Sequence, residues 1–132
     1  MKKGIIIFLS LLFFGCGESK KFPYELVNYK PELKDENVLE VYALSGELNP
    51  EEFKNFCLKK KSEFKLAGYY KIILFDKKEN FFKTNAPVLS AYQILGEIES
   101  RSHIIAEYTY GKLNGYSELV ITVNGKSETL KL

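Results

Sequence analysis

The last third of the chain places the strongest constraint on the fold. Three runs rich in β-branched and aromatic residues, His103–Tyr110 (HIIAEYTY), Ser117–Val123 (SELVITV) and Ser127–Leu132 (SETLKL), are separated by short segments containing Asn114-Gly115 and Asn124-Gly125. Asn-Gly between strand-like runs favours a type I′ turn, because both central positions need positive φ and these two residues tolerate it best. Three strands joined in this way form an antiparallel meander. In the middle run Leu119, Ile121 and Val123 fall on one face and Glu118 and Thr122 on the other, so the sheet is expected to bury one side.

A covering helix is signalled upstream. Asn49-Pro50-Glu51-Glu52 supplies an N-cap, a proline at the first helical position and acids in the first turn. Phe53, Phe56, Cys57 and Phe64 then recur close to whole turns of a 3.6-residue helix, and Lys59, Lys60 and Lys61 lie near its C-terminal end, where cations oppose the dipole favourably. Val38–Leu44 (VLEVYAL) before this helix and Tyr69–Phe75 (YYKIILF) after it read as strands, the second central because its apolar run is nearly continuous. Asp76 to Asn80 reads as a polar turn. The interval from Phe81 to Arg101 is too long for a bare loop, and Pro87, Val88, Ala91, Tyr92 and Leu95, closed by Gly96, fit a short helix, with an irregular edge strand as the alternative. The expectation is one α+β domain over residues 37–132: two layers, a mostly antiparallel sheet with a C-terminal three-strand meander, packed against one main helix.

The N-terminal segment has a different character. Lys2 and Lys3 precede an apolar run from Gly4 to Gly15 that is too short to span a bilayer, as a secretory signal would be. The run ends in Phe13-Phe14-Gly15-Cys16, and this stretch resembles the bacterial lipoprotein signal, in which a small residue precedes a cysteine that becomes the lipidated first residue. The resemblance covers residues 1–16 only. It implies a signal peptide over 1–15, lipid attached at Cys16, and a domain held at the bacterial cell envelope on the non-cytoplasmic side of a membrane. The alternative, an ordinary secretory signal with Cys16 a bystander, wants small residues at both the −1 and −3 cleavage positions, and the run has no such pair. Residues 17–36, with Pro23, Pro31 and mixed charges, read as a tether following Cys16; the group Phe22, Tyr24, Leu26 and Val27 admits a second reading as an edge strand docked on the domain.

Charge and cysteine usage narrow the partners. Of 19 basic and 17 acidic side chains, Lys2 and Lys3 belong to the signal, so the exported part carries 17 of each. A neutral domain lacks the electrostatic footprint of nucleic-acid binding. With Cys16 consumed by lipid, Cys57 is a single thiol and no internal disulfide is expected. His103 is the only histidine and no cluster has metal-ligand spacing, so neither metal nor cofactor is expected.

Candidate chemistry is sparse. Cys57 as nucleophile with His103 as base would make a hydrolase, but the sequence supplies two residue types and not their proximity, and a thiol on an apolar stripe is ordinary core. Asp76, Glu79, Glu107 and Glu118 are acids at strand ends or on strands, with no spacing that selects a pair. Tyr108 and Tyr110 share one strand face and Tyr116 lies in the adjoining turn, which makes these three the candidate surface for a protein, peptide or glycan partner. The resulting expectation is a lipid-anchored, non-catalytic binding or accessory module. An immunity or inhibitor lipoprotein is a narrower version, and a small envelope hydrolase the alternative from another class.

Overall fold

The structure, a computed structural model, describes residues 22–32 and 34–132. Residues 1–16, the stretch that resembles a lipoprotein signal with its Cys16, lie outside the described residues. Six strands form one sheet in the sequential order β1 (Tyr24–Glu32), β2 (Asn37–Leu44), β3 (Tyr69–Phe75), β4 (Ile104–Gly111), β5 (Tyr116–Val123) and β6 (Lys126–Lys131). Every neighbouring pair is antiparallel except β2 and β3, which run parallel through a crossover containing the main helix, α1 (Pro50–Glu63). This is the expected α+β domain with its C-terminal meander of β4, β5 and β6.

The helix forms where its signals place it. Asn49 Oδ1 accepts the Glu52 N–H at 3.0 Å, and Phe53, Phe56 and Cys57 are buried against the sheet. The core on this side joins them to Tyr42, Tyr70, Ile72, Leu74, Tyr108 and Leu119, inward positions of β2 to β5 that alternate as the pleat requires. The turn at Asn124-Gly125 has φ of 52° and 75°, the left-handed pair a type I′ hairpin needs.

Two expectations change. The stretch read first as a tether contains β1, which pairs with β2 from Tyr24↔Leu44 to Glu32↔Asn37, so its second reading, an edge strand docked on the domain, is the one the structure has, and the domain starts before residue 37. The reason is aromatic packing: Tyr24 meets Phe53 and Phe56 with ring centroids 5.1 and 4.9 Å away, and Phe22 meets Phe56 at 5.4 Å. Pro31 is tolerated because β1 is an edge strand. A bulge between Leu26 and Asn28 leaves Val27 unpaired, and Val27 packs into the core of the sheet's other face.

That other face is the second change. Residues 78–101 hold not one short helix but α2 (Lys78–Lys83), a 3₁₀ turn (Ala86–Val88), α3 (Ala91–Gly96) and α4 (Ile98–Arg101). Pro87 opens no α-helix; it sits in the 3₁₀ turn, and α3 starts from a capping box in which Ser90 and Gln93 satisfy each other's backbone N–H. The expected polar turn at Asp76 to Asn80 is shorter, since α2 starts at Lys78. This layer buries Phe81, Ala86 and Ile94 against Leu39, Val41, Ile73 and Phe75. The central strand β3 is thus enclosed on both sides, while on the meander Glu107, Glu118 and Thr122 are half-buried on that second face, Glu107 and Thr122 lining a cleft with Leu95 and Arg101. No described helix is long and apolar enough to cross a membrane.

Candidate functional site

A cleft of about 460 Å³ opens where the C-terminal end of β1, the starts of β2 and β3, and the N-terminal end of α3 meet. Its walls are set by close backbone contacts. A Cβ on Gly68 would collide with the Asp35 carbonyl and the Asn37 side chain, so glycine lets the chain enter β3 beneath the β1–β2 turn. Asn37 Oδ1 accepts the Tyr69 N–H at 2.7 Å, while its Nδ2 donates to Glu32 at 3.3 Å. The Tyr69 ring lies over Gly111, where a Cβ would stand 2.8 Å from the ring, and the Tyr69 hydroxyl accepts from Asn114 Nδ2 at 2.8 Å. Tyr69 is therefore a half-exposed aromatic held from two sides.

Across the cleft stands Tyr92. It belongs to a set of large apolar side chains that the short-helix layer turns outward: Tyr92 is 89% exposed, Ile98 88%, Val88 82% and Phe82 55%. Lys71 also lines the cleft and donates to Thr109 Oγ1 at 3.0 Å. A fixed aromatic, a free aromatic and an apolar floor including Leu39 suit the side chains of a partner.

A second, smaller cleft of about 280 Å³ lies on the α1 side and is floored by Glu40, only 8% exposed. The Tyr42 hydroxyl donates to Glu40 Oε1 at 2.5 Å and Lys60 Nζ stands 3.3 Å from the same oxygen. Burial, followed by the bond to Glu40, pushes the Tyr42 phenol well above its ordinary range; burial, then the charge of Glu40, does the same to Tyr70. Both phenols are held protonated, so the cluster is a buried ion pair with phenol donors whose groups satisfy one another.

The structure redistributes the residues singled out from sequence. Cys57 is fully enclosed under the sheet, and burial pushes its thiol up, so it is a protonated core group with no exposed surface. His103 is brought to Asp76, not to Cys57: its Nδ1 lies 3.2 Å from Asp76 Oδ2, where β3 ends and β4 begins. Asn80 Nδ2 donates to the other Asp76 oxygen at 2.9 Å. Glu79 lies in the first turn of α2, and Glu107 and Glu118 sit half-buried on the face of the meander opposite α1.

The tyrosine surface expected from Tyr108, Tyr110 and Tyr116 does not form. Tyr108 is fully buried, with its hydroxyl 2.8 Å from Ser117 Oγ. Tyr110 is partly buried against Phe64, with Lys61 Nζ 5.2 Å above its ring. Tyr116 falls on the opposite face of β5, the side that Glu118 shares, and is half-exposed. The face that Tyr108 and Tyr110 share is the one α1 covers, which strand periodicity alone does not reveal. The sequence places Tyr69 in a strand and Tyr92 in a short helix without marking either as exposed; the legible clue to Tyr92 is that Ser90-x-x-Gln93 starts a helix at Ala91 whose buried position is Ile94.

Among the described residues no group of three or more His, Cys, Asp or Glu side chains is placed to hold a metal ion. Comparison of the chain with known protein families, with characterised proteins and with solved structures finds no match in any of the three.

Proposed function

We propose that this chain is an exported bacterial lipoprotein, held at the cell envelope on the non-cytoplasmic side of a membrane by lipid on Cys16, whose domain is a non-catalytic binding or accessory module for a protein or peptide partner. The observation that carries the binding reading is the outward display of Phe82, Val88, Tyr92 and Ile98 by the short-helix layer, with Tyr92 lining the Tyr69 cleft, while the inward side chains Phe81, Ala86 and Ile94 pack on the sheet. Large apolar groups left in water beside a preformed cleft favour association with a complementary surface. The anchor reading rests on residues 1–16; with lipid on Cys16, β1, which starts eight residues later, would hold the domain near the membrane.

Two measurements test this reading. Cys16→Ala is expected to release the protein from membrane fractions or to block its processing, and unchanged, fully processed membrane attachment would contradict the anchor. Val88→Ser with Tyr92→Ser is expected to abolish cross-linking to an envelope neighbour while leaving the melting temperature unchanged. A cross-linking pattern that survives both substitutions would remove the short-helix layer from the binding surface.

A further inference from the structure

We infer that the outer face of α1 lies along an anionic lipid surface, so that the apolar short-helix layer on the other side of the sheet points away from the membrane. This rests on the lipoprotein reading and adds to it an orientation. The first support is where the chain leaves the domain. Phe22 is seated on the α1 side, its ring 5.4 Å from that of Phe56 and beneath Lys59 Nζ at 5.9 Å. Six residue steps separate Phe22 from Cys16, a reach of at most about 22 Å, no longer than α1 itself at about 21 Å. The side from which so short a connection departs is the side that meets the bilayer.

The second support is charge. The exported part is neutral overall, yet residues 50–65 carry Lys54, Lys59, Lys60, Lys61 and Lys65 against Glu51, Glu52 and Glu63, with the acids of the first turn at one end and the lysines 59–61 and 65 at the other, and Lys20 and Lys21 stand in the connecting segment. Glu51 lies 3.9 Å from Lys54, Lys60 is engaged by Glu40 and Glu63, and Lys61 lies over the Tyr110 ring and reaches the Leu132 carbonyl, which leaves Lys59 and Lys65 as the exposed cations. A lysine near an anionic membrane strengthens partition roughly fivefold, and a basic patch beside an acyl anchor is a two-signal attachment. By contrast, residues 76–101 carry four acids and four bases, which favour no such surface.

The chain has no tryptophan, so a single introduced one reports its own surroundings. Full-length lipidated Leu58→Trp (on α1) and Tyr92→Trp (on α3) would be reconstituted in vesicles of phosphatidylethanolamine and phosphatidylglycerol containing brominated lipid, with flotation and intact mass recorded. Ser62→Trp replaces Leu58→Trp if circular dichroism shows that the latter does not fold. The α1 probe is expected to shift to the blue and be quenched, and to lose both effects in phosphatidylcholine vesicles, in high salt, or with Lys59→Gln and Lys65→Gln added; the Tyr92→Trp probe is expected to stay unquenched. Quenching of Tyr92→Trp instead, or of neither probe on a protein that floats with its acyl mass, would overturn the orientation and leave the anchor standing. A protein that carries no acyl mass and does not float would overturn both.

Discussion

The Tyr24 hydroxyl is enclosed beside α1 with no hydrogen-bond partner among the described residues, and burial, with help from the charge of Glu52, pushes its phenol up to about 12. An unsatisfied buried donor costs about 1–3 kcal/mol, whereas the ring itself packs on Phe53 and Phe56. Tyr24→Phe is therefore expected to stabilise the fold by about 1 kcal/mol, read as a higher urea midpoint at unchanged slope; a lower midpoint would mean that the hydroxyl has a partner. Glu40 is the opposite case, since each of its contacts is made. Glu40→Gln removes the charge that faces Lys60 and the two phenols, and is expected to cost about 1–3 kcal/mol. It should also lower the pH at which Tyr42 and Tyr70 titrate, as followed by ring resonances in NMR. Glu40 was not legible as special in VLEVYAL, because its lysine comes from the C-terminal half of α1, 20 residues away.

Among the elements, β1 decides where the domain starts. It closes the β2 edge and brings Phe22, Tyr24 and Val27 to both cores. A chain beginning at residue 37 is expected to aggregate or to lack a cooperative transition, whereas one beginning at Phe22 folds; circular dichroism melts and size-exclusion chromatography would separate the two. Equal melting of both would make β1 dispensable. The element was half legible: its apolar residues suggested docking, but Pro31 within it, Pro23 just before it and a bulge obscure the period-2 pattern by which strands are recognised. Residues 78–101 were harder, because each helix there spans six residues or fewer, too short for a 3.6-residue stripe to repeat. By contrast α1 and the meander were plain, since caps, whole-turn spacing and Asn-Gly turns act within a few residues.

For the whole molecule, the buried acids that must stay protonated set an alkaline limit. Cys57, Tyr24, Tyr42, Tyr70 and Tyr108 are all raised above their ordinary values of 9.0 for the thiol and 10.0 for the phenols, chiefly by burial. A raised value in the folded state means that the unfolded chain ionises first. The stability is complete below about pH 9 and is lost as pH rises, with Tyr24 contributing between 10.0 and about 12. The melting temperature is expected to fall steadily above pH 9, and a flat profile to pH 11 would contradict the burial of these groups. What the amino-acid sequence determined by itself was local: one capped helix, the β2 and β3 runs, the I′ turn at Asn124-Gly125, and equal numbers of acidic and basic side chains after residue 15. Tertiary structure decided which face of each strand met a helix, and with it the burial of Tyr108, the pairing of His103 with Asp76 and the display of Tyr92. Caps and turns are satisfied by neighbours in the chain, while burial depends on partners tens of residues away whose pairing no local pattern encodes.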